Sequence, residues 1–483
     1  MQELQNILFL ATNVIFVLAL GFYLMTNLQW YNYKIERVVL HHHKPLWHLF
    51  YFFIPLVLYY TTGKFFMIFF YFAYLPALYL WHKRLDRKLV WTWRIKRFFI
   101  LLALLVLFQD FLCTLKEACK VYGVFLPILI AYVGSNIIEK YLFTVYKKEA
   151  KKRLDSIQGL KIIEITGSYG KTSIKNFIYS ILAQKFNTYM TPRSVNTLGG
   201  IVKDINESLP EDTHFYVVEA GARQRGDIYE ITTLLNPHCV VVGKVGPAHI
   251  EYFKSLENIV RTKLEVMASK RLEKAFIHCS VTNEPHEKVE FFCDDDILDL
   301  HADLDGIRFS VKIGDKEVRF EVPGILGAFQ ATNIYAAIKV ALFYDMSIEE
   351  VQQAVRKLRP IEHRLQKITA GGKIILDDGF NGNLDGMKEA IRLCSLHAGR
   401  KVIVTPGLVE STPELNEELI EAINEVFDIV IVTGKLNAEL FKKRLNVANH
   451  YILTDKSKLQ DLLAAQTKEG DIILFANDAP NFI

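Results

Sequence analysis

The sequence lacks the cysteine spacings that mark metal sites and disulfide scaffolds. Its six cysteines are scattered and include no C-x-x-C pair. We therefore expect neither a zinc site nor a disulfide framework, and we interpret all six as reduced packing residues. They are Cys113, Cys119, Cys239, Cys279, Cys293 and Cys394.

After residue 155 the sequence lacks an excess of positive charge. Residues 1–155 carry 19 lysine and arginine residues against 8 acidic ones, whereas the remaining residues carry 38 against 45. The overall charge of +4 therefore hides a basic amino-terminal part and a mildly acidic remainder. That acidity argues against nucleic acid as a partner.

Charge is also missing from long apolar stretches near the amino terminus. No charged residue occurs between Leu4 and Tyr33, and Lys64 is the only charge between Lys44 and Lys83. Stretches of this length can cross a bilayer. The first has no basic segment before it and no small-residue cleavage site after it, which favours a retained anchor over a signal peptide. We predict five spans, with four or six as alternatives, at 7–27, 46–62, 65–82, 97–115 and 121–138.

The segments between these spans differ in their content of lysine and arginine. There are three in 34–44, one at Lys64, seven in 83–97, two in 116–120 and six in 140–153. This alternation follows the positive-inside rule. It predicts a multi-pass membrane protein whose amino terminus faces outside and whose soluble part lies in the cytoplasm. Residues 140–160 are typical of a basic juxtamembrane linker helix on the inner leaflet.

Two polar features of this membrane block have alternative interpretations. The run His41–His43 is interpreted as a solvated turn beside a span, with a metal role as the alternative. Asp110 lies within a predicted span, where carboxylates often serve a polar pathway. We favour a position near the external interface.

A glycine turn between a strand and a helix predicts a nucleotide site. Ile162, Ile163 and Ile165 indicate a buried strand, and apolar residues from Ile174 to Leu182 recur at helical spacing. The turn between them directs backbone N–H groups at one spot, which suits the phosphates of ATP. Lys171 can reach the outer phosphates, and the Thr172 hydroxyl can bind Mg²⁺. The residues of the predicted site are Thr166, Gly167, Ser168, Tyr169, Gly170, Lys171, Thr172 and Ser173.

Later segments supply further candidate side chains. Glu219 follows the strand 215–218, and a carboxylate at the carboxyl end of a parallel strand beside a phosphate loop suits Mg²⁺. His249 follows the strand 239–243, although a lone histidine is more often structural. Lys263 lies in a helix predicted over 256–269. The run Asp294–Asp296 is interpreted as a solvated turn.

Five sequence blocks follow one another along this part of the chain: T-G-x-x-G-K-T-S, N-T-x-G-G, V-V-E-A-G-A-R-x-x-G-D-I, G-P-A-H-I-E-x-F and T-K-L-E-V. They resemble the central domain of the Mur ligases, most closely the branch that adds D-alanyl-D-alanine to the UDP-N-acetylmuramoyl tripeptide. The resemblance implies that Lys171 and Thr172 hold the phosphates and Mg²⁺. It implies that Glu219 binds the first of two Mg²⁺ ions and His249 the second. It also implies that CO₂ converts Lys263 to a carbamate that serves as a metal ligand.

The resemblance continues in the last third of the chain. Asn333 matches an adenine-contacting asparagine, although Phe329-Gln330 replaces the usual His-Asn. Arg364 matches a linker arginine that reaches ATP. Asp378 and Asn381 lie in a segment that resembles the family's D-D-S-Y-N-A-N turn, which touches the nucleotide and opens the third domain. In that domain the family's late K-G-S-R is replaced by residues 475–480, which puts the grip on the incoming dipeptide in question.

The predicted fold class is an α-helical membrane block followed by α/β domains. Strands and helices alternate after Lys373, which indicates a Rossmann-like parallel sheet. We predict a P-loop, Mur-ligase-type central ATPase domain before it. The predicted boundaries are 1–139 for the membrane block, 140–160 for the linker helix, 161–361 for the central ATP-binding domain and 362–483 for the carboxyl-terminal domain.

The resemblance implies an ATP-dependent acid–amino-acid ligase of peptidoglycan precursor synthesis. Its substrates would be the UDP-N-acetylmuramoyl tripeptide and D-alanyl-D-alanine, joined through an acyl phosphate. The soluble UDP-binding domain of the family is replaced by spans, so cytosolic loops, a partner or a lipid-linked substrate would supply the UDP-sugar end. The membrane location also suggests membrane-bound peptidoglycan enzymes as partners.

Other function classes remain as alternatives. Another Mur-like ligase, such as one that builds poly-γ-glutamate, would share every motif. A transporter or sensor powered by the phosphate loop would need an L-S-G-G-Q-type signature, which is missing from the sequence. A catalytically silent scaffold would have no need of an intact phosphate loop.

Overall fold

Long apolar helices form the first of the two units into which the chain divides, Met1–Val145 and Tyr146–Ile483. A computed structural model describes residues 2–31, 33–40, 42, 44–85, 88–116, 123–246, 253–380, 382–409 and 411–478. The helices that lie in this unit or begin in it are α1 Gln2–Trp30, α2 Ile35–Leu40, α3 Leu46–His48, α4 Ile54–Thr62, α5 Phe66–Phe69, α6 Leu75–Lys83, α7 Trp93–Lys116 and α8 Phe125–Ser156.

Four helical stretches among the described residues are long and apolar enough to cross a membrane. They are Ile7–Trp30, Leu46–Lys83, Trp93–Leu115 and Phe125–Ser156, with mean hydropathies of 2.4, 1.5, 2.4 and 1.3. The second stretch contains π-helical turns at Leu49–Phe53 and Phe70–Tyr74. Each of these turns comes just before a proline, Pro55 or Pro76, whose missing N–H interrupts the regular bonding pattern.

The chain reverses in the middle of this second stretch. Gly63 has a φ of 57°, and the Tyr74 hydroxyl donates a 3.0 Å hydrogen bond to the Tyr51 carbonyl. In a straight helix these two residues would lie about 35 Å apart. The stretch is therefore an antiparallel hairpin with its turn at residues 61–64, where the sequence predicts one.

Two polar side chains of this unit are more buried than predicted. His42 is 7% exposed, and its Nε2 lies 2.9 Å from Asn27 Oδ1. The interpretation of a solvated turn is therefore wrong for His42, while His41 and His43 lie outside the described residues. Asp110 is 1% exposed, so it lies inside the helix bundle.

The linker helix predicted over 140–160 is not a separate element. Helix α8 runs without interruption from Phe125 to Ser156, because no proline follows Pro127 within it. Its last turns are fixed by Arg153, which donates hydrogen bonds to the carbonyls of Asn206 and Leu209 at 2.8 and 2.6 Å.

The second unit is built around two six-stranded sheets. The first has strand order β2-β3-β1-β4-β5-β6, and all its neighbouring strands are parallel. Strands β1, β3 and β4 lie at its centre and are mostly apolar because both faces are buried, although β1 contains Glu164. The strands are β1 Lys161–Thr166, β2 Thr188–Met190, β3 Phe215–Glu219, β4 Cys239–Val242, β5 Lys274–His278 and β6 Val289–Phe292.

Helices cover this sheet, and a small antiparallel sheet follows it. The helices are α9 Lys171–Leu182, α10 Leu198–Glu207, α11 Asp227–Leu235, α12 Leu256–Leu264, α13 Gln330–Phe343 and α14 Ile348–Arg356. The small sheet contains β7 Leu298–Ala302, β8 Gly306–Ile313 and β9 Lys316–Pro323. The apolar faces of α9, α13 and α14 share one core with the first sheet and β8–β9.

The second six-stranded sheet has the order β10-β11-β15-β12-β13-β14. Only the edge pair β10–β11 is antiparallel, so the alternation of strands and helices predicts this region correctly except at its edges. The strands are β10 Gln366–Ala370, β11 Lys373–Asp378, β12 Lys401–Thr405, β13 Ile429–Thr433, β14 Asn449–Leu453 and β15 Ile472–Ala476. Its helices are α15 Leu384–Ser395, α16 Pro413–Val426, α17 Ala438–Arg444 and α18 Leu459–Gln466.

The prediction that all six cysteines are reduced is wrong for Cys113, which is disulfide-bonded, and for Cys279 and Cys293. Cys279 and Cys293 form a disulfide with a Cα–Cα distance of 5.3 Å. They follow directly on the paired residues His278 and Phe292 of β5 and β6. Parallel pairing brings the two sulfurs together across 14 positions of sequence, and that spacing has no recognisable motif.

Candidate active site

The loop between β1 and α9 requires glycine at two positions. Gly167 and Gly170 have φ values of 149° and 75°, which side-chain-bearing residues rarely adopt. A Cβ on Gly170 would lie 2.5 Å from Asn333 Oδ1, and one on Gly167 would lie 3.2 Å from the Gly243 backbone. The loop is thus packed between α13 and the segment that follows β4.

The backbone amides of the loop fall into two groups. Those of Ser168 and Tyr169 donate to the Lys244 carbonyl at 3.0 and 3.2 Å, so they hold the loop in place. The first intrahelical bond runs from Ile174 N to the Gly170 carbonyl. The amides of residues 171–173 therefore have no acceptor within the helix, as is usual for a first turn. They are the part of the loop best suited to an anion.

The other side chains of the predicted loop line its base. The Lys171 ammonium donates to the carbonyls of Gly167 and Ser168 at 2.9 and 3.0 Å, so it lies folded over the loop. Thr166 Oγ1 donates to the Ala220 carbonyl at 2.9 Å. Ser173 is buried, and Gln330 Nε2 lies 3.5 Å from its hydroxyl. Burial lowers the pKa of Lys171.

Glu219 ends β3 directly beside the start of α9. Its carboxylate is 1% exposed. Thr172 Oγ1 donates to Glu219 Oε2 at 2.9 Å, and Asn196 Nδ2 donates to Oε1 at 3.0 Å. The structure therefore brings together Thr172 and Glu219, which the sequence predicts as partners at a metal.

The charges of Lys171 and Glu219 also act on the ammonium of Lys263. Lys263 is 4% exposed, and burial followed by the charge of Lys171 lowers its pKa to about 7. Glu219, Asp227 and Glu265 act in the opposite direction on the same ammonium. A lysine with this pKa is largely neutral just above pH 7, which is the form that can react with CO₂.

Two predicted site residues, His249 and Asn381, lie outside the described residues. Among the residues that the structure does describe, no group of three or more His, Cys, Asp or Glu side chains converges on a point that could hold a metal. A metal at Glu219 would therefore draw on Thr172 and on a modified Lys263.

The residues predicted to contact the nucleotide from the later segments lie near the loop. Asn333 Oδ1 faces Gly170, and its Nδ2 donates to Gln330 Oε1 at 2.9 Å. Arg364 interacts electrostatically with Glu219 and Asp378, and its Nη1 donates to the Phe380 carbonyl at 2.6 Å. Asp378 is buried and accepts from the Leu365 amide at 3.0 Å.

Sequence reasoning missed two charged residues that support the site. Lys175 is fully buried behind Glu219, and its ammonium lies 3.7 Å from Glu219 Oε2. Asp294 is exposed, as the interpretation of a solvated turn expects, and its carboxylate also accepts hydrogen bonds from Lys244 at 3.1 Å and from Thr332 at 2.8 Å. The signal for Lys175 was a lysine on the apolar face of α9, four positions after Lys171. Asp294 carried no comparable signal.

Family comparisons agree with this geometry. A model described as the Mur ligase middle domain matches residues 165–341, and one described as the Mur ligase, glutamate ligase domain matches residues 363–477. Together these matches cover more than half of the chain. The chain belongs to the Mur ligase family. It is therefore an ATP-dependent ligase, and the resemblance predicted from its motifs is confirmed.

Individual relatives of this Mur ligase point in the same direction. A UDP-N-acetylmuramoyl-tripeptide–D-alanyl-D-alanine ligase of Bacillus subtilis (strain 168) is 28% identical over 356 residues, which is 69% of this chain and 76% of the relative. The enzyme of the same name from Escherichia coli (strain K12) is 25% identical over 267 residues, 52% of this chain and 58% of that relative.

Solved structures share the fold. A MurF ligase from Thermotoga maritima, in complex with ADP, has a TM-score of 0.62 at 24% identity and covers 70% of this chain and 80% of its own. A pseudomurein peptide ligase type C from Methanothermus fervidus has a TM-score of 0.53 at 16% identity, over 66% of this chain and 76% of its own. At these identities the likeness concerns the fold of this Mur ligase.

Proposed function

We propose that this Mur ligase is membrane-anchored and adds D-alanyl-D-alanine to the UDP-N-acetylmuramoyl tripeptide. The observation that supports the proposal is the contact between Thr172 and Glu219 beside the first turn of α9, with the charges of Lys171 and Glu219 acting on Lys263. The substrates are inferred from the names of the Bacillus subtilis and Escherichia coli relatives. ATP, Mg²⁺ and a lysine carbamate complete the proposed site.

The residues present fit a triphosphate with its metal. The first-turn amides and Lys171 offer positive charge, while Gly167 and Gly170 keep the loop free of side chains. Thr172, Glu219, His249 and the carbamate of Lys263 would hold two Mg²⁺ ions, which supply charge neutralisation for phosphoryl transfer. Asn333, Arg364, Asp378 and Asn381 would contact the nucleotide.

The proposed reaction is the one that the resemblance to the Mur ligases implies. The terminal carboxylate of the tripeptide attacks the γ-phosphorus of ATP, which gives an acyl phosphate and ADP. The amine of D-alanyl-D-alanine then attacks the acyl carbon, and an amide, phosphate and a proton result. Lys171 and the helix amides stabilise the charge on the transferred phosphoryl group, so the protein acts by positioning and electrostatics.

The amino-terminal unit would anchor this chemistry at the inner membrane. Four described helical stretches are long and apolar enough to cross a bilayer, and one of them is a hairpin, which gives five crossings. The basic segments at 34–44, 83–97 and 140–153 then face the cytoplasm. Anchoring would leave the product close to membrane-bound enzymes of peptidoglycan synthesis, which are the proposed partners.

The test is a reconstitution with the full-length chain in detergent. Purified protein is incubated with ATP, Mg²⁺, UDP-N-acetylmuramoyl tripeptide and D-alanyl-D-alanine, and the pentapeptide product is sought by mass spectrometry. We expect product together with stoichiometric ADP, and no product from the Lys171→Met variant. Lys203→Met, which changes an exposed lysine of α10, serves as the matched control. ADP release with glutamate but not with the dipeptide would favour a poly-γ-glutamate-type ligase instead.

A further inference from the structure

A fully buried lysine lies directly behind the proposed metal ligand. Lys175 is 0% exposed, although it belongs to α9 and follows Lys171 by one helical turn. A buried ammonium is costly unless several acceptors surround it. In this chain the three acceptors are the carbonyls of Thr191 and Arg193 and the carboxylate of Glu219.

These contacts connect three segments. Lys175 Nζ donates to the Thr191 carbonyl at 2.8 Å and also to the Arg193 carbonyl, and it lies 3.7 Å from Glu219 Oε2. The ammonium therefore joins α9 to the end of β3 and to the segment that follows β2. An ammonium has three N–H groups; two donate to these carbonyls, and the Glu219 carboxylate is its ion-pair partner.

Both oxygens of Glu219 depend on this arrangement. Oε2 lies against Lys175 and accepts from Thr172, whereas Oε1 accepts from Asn196 at 3.0 Å. Asn196 lies three residues beyond Arg193, on the segment that Lys175 holds by its carbonyls. The Glu219 amide is also tied to this segment, through Thr191 Oγ1 at 3.3 Å.

We propose that Lys175 is a positioning residue that orients the Glu219 carboxylate toward the divalent cation. It acts directly on Oε2 and, through the segment 191–196, on Oε1. This inference rests on the proposed function, because that function places Mg²⁺ at Glu219. Lys175 itself touches neither nucleotide nor metal, since its ammonium is closed off by its three acceptors.

Charge alone predicts the opposite effect from positioning. A cation beside a metal ligand repels Mg²⁺, so if Lys175 only balanced charge, its removal would strengthen metal binding. If Lys175 positions Glu219, its removal weakens metal binding because the carboxylate loses its fixed orientation. If its role is merely structural, folding suffers while the folded fraction binds metal normally.

The experiment measures ADP binding by titration calorimetry with the full-length protein in detergent, once with Mg²⁺ and once with EDTA. The variants are Lys175→Met, Lys175→Gln and Asn196→Ala, with Lys203→Met as the matched surface control. We expect Lys175→Met to lose at least tenfold of the affinity that Mg²⁺ adds, while its affinity in EDTA stays at the wild-type value. Asn196→Ala should lose a smaller part of the same Mg²⁺-dependent gain.

The outcomes separate this inference from the proposed function. Wild-type protein without any Mg²⁺-dependent gain in ADP affinity would overturn both. A wild-type gain that Lys175→Met keeps or exceeds would overturn only the role of Lys175, and so would an equal loss in Mg²⁺ and in EDTA. If Lys175→Met does not fold, Lys175→Gln and Asn196→Ala decide by the same criterion.

Discussion

Thr172 Oγ1 donates a 2.9 Å hydrogen bond to Glu219 Oε2, which joins the first turn of α9 to the end of β3. Strand β3 pairs in parallel with β1, so Glu219 lies at the same sheet edge as the loop that β1 enters. This pair is the core of the proposed Mg²⁺ site.

Replacing Glu219 should disable the proposed ligase. Glu219→Gln keeps the shape of the side chain but removes the charge that attracts a divalent cation. We expect ligase turnover to fall by roughly 100-fold, measured as ADP release in the presence of both peptide substrates. Glu230→Gln, on the exposed face of α11, is the matched control. Wild-type turnover in Glu219→Gln would remove Glu219 from the metal site.

Lys263 should take up CO₂ near neutral pH. Its pKa of about 7 leaves a large fraction of the amine neutral, whereas an ordinary lysine stays protonated. Protein equilibrated with ¹³C-bicarbonate should show a carbamate carbon signal by NMR, and Lys263→Met should lack it. Ligase activity should fall in CO₂-depleted buffer and return when bicarbonate is added. The surface variant Lys270→Met is the control and should keep the signal. A signal that persists in Lys263→Met would place the carbamate on another lysine.

Asp294 should help to hold the nucleotide loop in place, although it does not line the loop. His278, Thr332 and Lys244 bond to its carboxylate and hold its pKa well below the usual range. The backbone carbonyl of Lys244 in turn accepts hydrogen bonds from the amides of Ser168 and Tyr169. Asp294→Asn should therefore lower stability by about 1 kcal/mol and weaken ADP binding even in EDTA. Asp295→Asn is the control, and equal ADP affinity in both variants would show that the chain from Asp294 to the loop is unimportant.

Glu164 should make stability depend on pH. It is fully buried in β1, and burial raises its pKa to about 8, against a hydrogen bond from Thr232 that lowers it. Between its unfolded pKa near 4.5 and about 8, the folded state binds the extra proton. Stability is therefore fully present at low pH and is lost as pH rises through this window.

Comparison with Glu164→Gln isolates this effect. The variant has nothing to titrate at this position, so relative to it wild-type stability should fall by up to about 1.4 kcal/mol per pH unit between pH 5 and 8. The measurement is the melting temperature of both proteins across that range. Parallel pH profiles would mean that Glu164 is not protonated in the folded protein.

Local pattern revealed those parts of the site that lie at strand ends and helix starts. Lys171, Thr172 and Glu219 could be predicted because a glycine turn and a strand-terminal carboxylate each have a short sequence signature. The partners of Lys175 and Asp294 lie 16 or more residues away and become neighbours only through tertiary packing. The sequence could therefore mark Lys175 only as a lysine on the apolar face of α9, without its partners. The exposed run around Asp294 looks solvated until Lys244 and Thr332 are brought to it.

The fold shows the same division. The central strands β1, β3 and β4 are mostly apolar, whereas β2 and β14 lie at sheet edges and lack that pattern. The boundary predicted at residue 140 marks a change from apolar to basic composition, but composition does not end a helix. Without proline or a capping residue there, α8 continues to Ser156.

The hairpin turn of the membrane unit should face the outside of the cell. Lys64 is exposed beside Gly63, where the chain reverses, and Lys88 is exposed in the basic segment before α7. In the proposed topology the amino terminus faces outside, two spans precede Lys64 and three precede Lys88. Lys64 therefore lies outside and Lys88 lies in the cytoplasm. A membrane-impermeant maleimide applied to spheroplasts should therefore label Lys64→Cys. Lys88→Cys should react only after permeabilisation. The unsubstituted protein is the control, because it shows how much label its own cysteines take up. Labelling of Lys88→Cys in sealed spheroplasts would invert the topology and separate the catalytic unit from cytoplasmic ATP.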